Sequence, residues 1–120
     1  MRQRASLCRA LVHNPEVLIL DEPFGALDAF TREDLWQVMH KLRREEPFTG
    51  ILITHDLRES IFLADEVVVL SGRPATNQYS LQIPKLKNPK LDNLFSPDSI
   101  EMLKNLRKQI EIAQVQQATN

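Results

Sequence analysis

Glycine is scarce in this chain of 120 residues: Gly25, Gly50 and Gly72 are the only three. None is followed by lysine, so the sequence contains no GxxxxGK[ST] turn whose backbone amides could cradle a phosphate. Cys8 is the single cysteine, which excludes an internal disulfide and makes a reducing cytoplasm the expected setting. It stands among apolar residues and reads as a core position. Aromatic residues make up 6% and do not interleave with the basic ones, so Lys85, Lys87 and Lys90 read as a solvated linker and no nucleic-acid partner is expected. The net charge of -1 points the same way. Long hydrophobic runs are missing too. Val17–Leu20 and Val67–Leu70 are four-residue runs, whereas a membrane-spanning helix needs about 20 apolar residues. Membrane association is therefore expected through a partner. The length suggests one domain around one core.

What is present has the order of an α/β domain. Residues 2–13 read as a helix with Leu7, Cys8 and Leu11 on one face, ended by Asn14-Pro15. Val17–Leu20 reads as a strand buried on both faces. Thr31 and Asp34 have the spacing of a capping box, and Leu35, Val38, Met39 and Leu42 continue with helical periodicity until Gly50. Ile51–Ile53 is a second buried strand, and strand–helix–strand predicts a parallel pair joined by a crossover. Asp56 and Glu59 cap a short helix, Glu66–Leu70 is a third strand, residues 71–74 a turn, and Tyr79–Ile83 an edge strand. After a linker over residues 85–95, Ser96-Pro97 opens a last helix with Ile100, Leu103, Leu106 and Ile110 on one side; its end, from Gln114, reads as frayed.

The chemistry lies where the first two strands end. "VLILDEP" delivers Asp21 and Glu22 at the carboxyl end of one strand, and "LITHD" delivers His55 at the end of the other. Ligands of open α/β sheets bind at those ends, so the three side chains are expected on one rim. An acidic turn after a buried strand is the plain alternative for the carboxylates. His13 and His40 read as structural.

These residues resemble a known pattern. The chain is similar to the C-terminal portion of the nucleotide-binding subunit of ATP-binding-cassette (ABC) transporters: "VLILDEP" resembles the Walker B strand and its glutamate, "FGALD" the D-loop, "LITHD" the switch-histidine loop, and "RQRASLCRALVHNP" the helix after the family's signature sequence. The resemblance covers residues 1 to about 73 and implies a partial P-loop NTPase-like fold. It also implies that Asp21 holds Mg²⁺, that Glu22 is the general base for hydrolysis of ATP, and that His55 meets the γ-phosphate. Gln3 and Arg4 would face nucleotide across a dimer, and Ala26, Leu27 and Asp28 would touch the second ATPase subunit. The implied partners are that subunit, membrane permease subunits and, indirectly, an extracytoplasmic solute-binding protein, at the cytoplasmic face of the membrane.

The phosphate loop, the Q-loop and the signature glycines are absent from these 120 residues, and the expectation is a truncated chain that is inactive alone. Residues 1–84 are assigned to the ATPase portion and 85–120 to a linker and helix. "VVVLSGRP" resembles importers of the nitrate, sulfonate and taurine group, with Ala75 in place of the usual glycine. Two rival readings are a soluble ABC ATPase outside transport and a non-catalytic fragment that packs or regulates.

Overall fold

The computed structural model describes residues 17–72, 76–84 and 89–119. The helix expected over 2–13, with Gln3, Arg4, Cys8 and His13, lies outside the described residues, as do Arg73, Pro74, Lys85 and Lys87. The described elements are β1 (Val17–Asp21), α1 (Ala29–Glu45), β2 (Thr49–Ile53), α2 (Leu57–Leu63), β3 (Glu66–Ser71), β4 (Thr76–Gln82), a 3₁₀ turn (Leu91–Phe95) and α3 (Pro97–Thr119). They fall into two compact units, residues up to Asp56 and residues from Leu57 onward. The length alone suggested one core. Hydrogen bonding explains the division: β1 pairs with β2 and β3 pairs with β4, in two separate two-stranded sheets.

In the first unit β1 and β2 are parallel, with Val17 opposite Thr49 and Asp21 opposite Ile53. The seventeen-residue α1 makes the expected crossover and buries Leu35, Trp36 and Met39. Its start differs from the expected Thr31–Asp34 box. Asp28 is the N-cap, its Oδ1 accepting from the Thr31 backbone N–H at 2.8 Å and its Oδ2 from the Thr31 hydroxyl at 3.0 Å. A carboxylate three residues ahead of Thr31 takes both donors, so the helix begins earlier. The helix also ends before Gly50, at Glu45, with Arg43 and Arg44 in the last turn where the helix dipole favours cations. Gly50 instead sits inside β2, where a Cβ would come within 3.2 Å of the Phe48 ring.

Burial alternates along the parallel pair as the pleat requires. Leu18, Leu20 and Leu52 are half-buried, while Val17, Ile19, Ile51 and Ile53 are 53%, 65%, 51% and 49% exposed. The expectation of strands covered on both faces is not met at these four side chains, and among the described residues the parallel pair has two strands and one crossover helix.

The second unit is a β3–β4 antiparallel hairpin with α3 packed on it and α2 and the 3₁₀ turn against α3. Register slips between Val69 and Leu70, leaving Gln78 as a bulge whose amide oxygen accepts from the Ser71 hydroxyl. Ser96 Oγ accepts the Ser99 N–H at 3.2 Å, the cap expected ahead of Pro97. Leu106 is fully buried and Ala113 nearly so, whereas Ile100 is 41% exposed and lies off the packed stripe. The helix runs through Thr119, beyond the frayed end expected from Gln114. Asn105 Nδ2 donates to the Tyr79 hydroxyl at 2.7 Å, fastening α3 to β4.

Candidate functional site

Register fixes the site. Asp21 closes β1 opposite Ile53, and the Glu22 N–H continues the ladder by donating to the Ile53 carbonyl at 2.7 Å. Glu22 then turns the chain with φ 46°, the only non-glycine among the described residues in the left-handed region. Two turns follow, closed by Gly25 N–H to the Glu22 carbonyl and Leu27 N–H to the Phe24 carbonyl. Phe24 is 1% exposed and anchors this loop. Asp28 ends it as the α1 cap, with Ala26 exposed and Leu27 half-buried. Hydrogen bonds from Thr31, through its backbone and then its hydroxyl, hold the Asp28 carboxyl below its ordinary value of 3.8, and the nearby Arg32 charge adds to this.

On the neighbouring strand, Thr54 Oγ1 accepts the Asp56 N–H at 3.0 Å, a local side-chain turn that carries His55 out past the end of β2. There His55 Nε2 lies 3.0 Å from Glu22 Oε1. The imidazole is 94% exposed and the carboxylate 45% exposed, so the pair sits open on the rim. Glu22 and His55 are thus brought together. Asp21 is exposed beside them at the strand end. Among the described residues no group of three or more His, Cys, Asp and Glu side chains could enclose a metal ion. The exposed carboxylates of Asp21 and Glu22 are oxygen donors of the type Mg²⁺ takes one or two at a time, with phosphate and water completing its shell.

Two contributors escaped the sequence reading. Arg32, in the first turn of α1, places Nη1 3.4 Å from Asp56 Oδ2, with side chains only 26% and 18% exposed. Phe24 was passed over as part of a motif. The signal for Phe24 was an aromatic in a proline–glycine turn; for Arg32–Asp56 there was none, since the pair forms only once the two loops approach.

No family model matches the chain. The aliphatic sulfonates import ATP-binding protein SsuB of Bacillus licheniformis is 51% identical over 74 residues, which is 62% of this chain and 29% of that protein. SsuB 1 of Shouchella clausii is 44% identical over 84 residues, 70% of this chain and 34% of its own length. SsuB of Burkholderia thailandensis is 50% identical over 78 residues, covering 64% and 23%. Over this segment the chain is a homologue of ABC-transporter ATP-binding proteins. It spans about a quarter to a third of the length of these relatives, and its α/β fold with a parallel pair and a C-terminal helix agrees with a partial domain of that ABC type.

Proposed function

We propose that this chain carries the hydrolytic rim of an ABC-type importer ATPase, and that the complete subunit energises uptake of a sulfonate-like solute. The observation carrying this is the 3.0 Å approach of His55 Nε2 to Glu22 Oε1 at adjacent parallel strand ends, in a segment similar to sulfonate import ATP-binding proteins.

Glu22 acts as the general base, accepting the proton of a water directed at the γ-phosphate. His55, placed against the carboxylate, orients it and offers its exposed ring to the terminal phosphate. Asp21 is the residue that would hold Mg²⁺, and the ion would supply positive charge to offset the charge developing on the transferred phosphoryl group. Phosphoryl transfer is chiefly positioning and electrostatics, so a rigid pair of strand ends is a suitable platform. The phosphate cradle must come from sequence outside these 120 residues. Gln3 and Arg4 would face nucleotide across a dimer, and Ala26, Leu27 and Asp28 would lie toward the second ATPase subunit. Permease subunits would hold the assembly at the cytoplasmic face of the membrane, with an extracytoplasmic solute-binding protein as an indirect partner through them; no helix among the described residues is long and apolar enough to cross a membrane. Residues 1–84 form the ATPase portion in this reading, and 85–120 an appended segment outside the nucleotide site.

The test is a chimera in which residues 1–84 replace the matching segment of SsuB from Bacillus subtilis, a relative 51% identical over 74 residues. The chimera should hydrolyse ATP. Glu22→Gln should lower turnover by about 10²–10⁴ while ATP binding persists, the usual range for loss of a general base. Parental turnover in that variant would return the carboxylates to a mere acidic turn.

A further inference from the structure

We propose that the Arg32–Asp56 ion pair is a positioning contact, tying the start of α1 to the switch-histidine loop and thereby setting the approach of His55 to Glu22. Its meaning for hydrolysis rests on the ATPase reading above; the positioning itself rests on geometry alone.

His55 is almost wholly exposed, so packing cannot hold its ring in place. Its loop is fixed instead through its neighbours. On one side Ile53 is paired with Asp21 and accepts the Glu22 N–H. On the other, Asp56 is tied by its N–H to Thr54 and by its carboxylate to Arg32. The Arg32 anchor is itself rigid. Its N–H donates to the Asp28 carbonyl at 3.0 Å, in the first turn of a helix that Asp28 caps through two bonds to Thr31. The contacts form a closed circuit. It runs from Glu22 along the loop to Asp28, through the first turn of α1 to Arg32, across to Asp56, and back through His55 to Glu22. Removing the ion pair takes away a side-chain link between the helix and the histidine loop, while both strands and the cap remain.

The pair is largely screened from solvent, and a guanidinium presents its donors in a fixed fork. Such a contact defines an orientation better than an exposed lysine pair would.

The test reads the His55 ring by NMR in the 120-residue chain with ¹⁵N-labelled histidine at fixed pH. Glu22→Gln supplies the reference position for a lost contact, and His40, on α1, reports whether the unit is folded. Arg32→Gln and Asp56→Asn should each move the His55 ring signals from the parental position to that of Glu22→Gln, leaving His40 in place. The exchanged pair, Arg32→Asp with Asp56→Arg, should return them toward the parental position. Parental His55 signals in both single variants would overturn the proposal, and so would an exchange that fails to restore them with His40 unmoved. Joint displacement of His40 and His55 in both single variants would assign the pair to general stability and overturn it as well. Because no nucleotide is involved, failure of the ATPase reading would appear separately, as a chimera whose turnover ignores Glu22→Gln.

Discussion

At Glu22 the backbone enters a region that side chains with a Cβ adopt reluctantly, at a cost of roughly 1–2 kcal/mol. The chain leaves β1 and turns within one step at this residue, which sets its carboxylate on the rim beside His55. Strain of this kind is held by surrounding structure at functional positions. Comparing Glu22→Gly with Glu22→Ala isolates it, since both remove the carboxylate. Glycine should be the more stable of the two by about 1 kcal/mol in urea unfolding, the reverse of its usual deficit of roughly 0.5–1 kcal/mol in regular elements. Equal stability would mean that the turn carries no backbone strain. His40 offers a pH-dependent effect. Burial, then repulsion from Arg44 and Arg43, lowers its pKa below the ordinary 6.5. The unfolded chain therefore takes up the proton first as pH falls, so stability is highest above 6.5 and declines as pH drops through it. In His40→Gln, melting temperature between pH 7.5 and pH 5.5 (about one pH unit either side of the ordinary histidine value) should fall less than in the parent. An unchanged slope would remove His40 from that dependence.

Among the elements, α3 bears most directly on the second unit. Leu106 is 0% exposed, and truncating a buried leucine to alanine costs about 2–5 kcal/mol. Leu106→Ala should lower the unfolding midpoint of that unit, followed through Tyr79, whose hydroxyl accepts from Asn105 one residue away. A loss below about 1 kcal/mol would show that the helix is not a core element. That α3 would form and bury Leu106 was legible from its spacing and from Ser96-Pro97. So were the two strand ends carrying Glu22 and His55, because a short apolar run followed by polar residues marks where a strand stops. The α1 cap was misplaced because Thr31–Asp34 and Asp28–Thr31 both satisfy cap spacing, and sequence alone does not say which carboxylate reaches which N–H. Gly50 looked like a helix terminator; its actual constraint is the Phe48 ring lying where a Cβ would go. Arg32–Asp56 was illegible for a related reason, since it joins residues brought together only by the crossover.

For the whole molecule the decisive feature is the uncovered face of the parallel pair. An open edge or apolar face on these strands is expected from the sequence, because runs such as "VLIL" call for neighbours that these 120 residues do not supply; which side chains form it shows in the structure. Val17, Ile19, Ile51 and Ile53 project on the same side by register, with Ile19 directly opposite Ile51. Fully burying a large aliphatic side chain gains about 1.5–3 kcal/mol, and contiguous apolar surface of this kind drives contact with any apolar partner available. The chain alone should therefore bind the dye ANS and show sedimentation that rises with concentration. Ile19→Thr with Ile51→Thr is the informative variant: threonine keeps the branching that suits a strand while removing apolar area from a cross-strand pair. Dye binding and self-association should both fall, with the far-ultraviolet circular dichroism of the parent retained, because neither side chain contributes to the buried core. Two results would refute this account. One is a parent chain that stays monomeric at all concentrations and binds no dye. The other is a double variant that unfolds, which would show that the isoleucine face is covered in solution and belongs to the core after all.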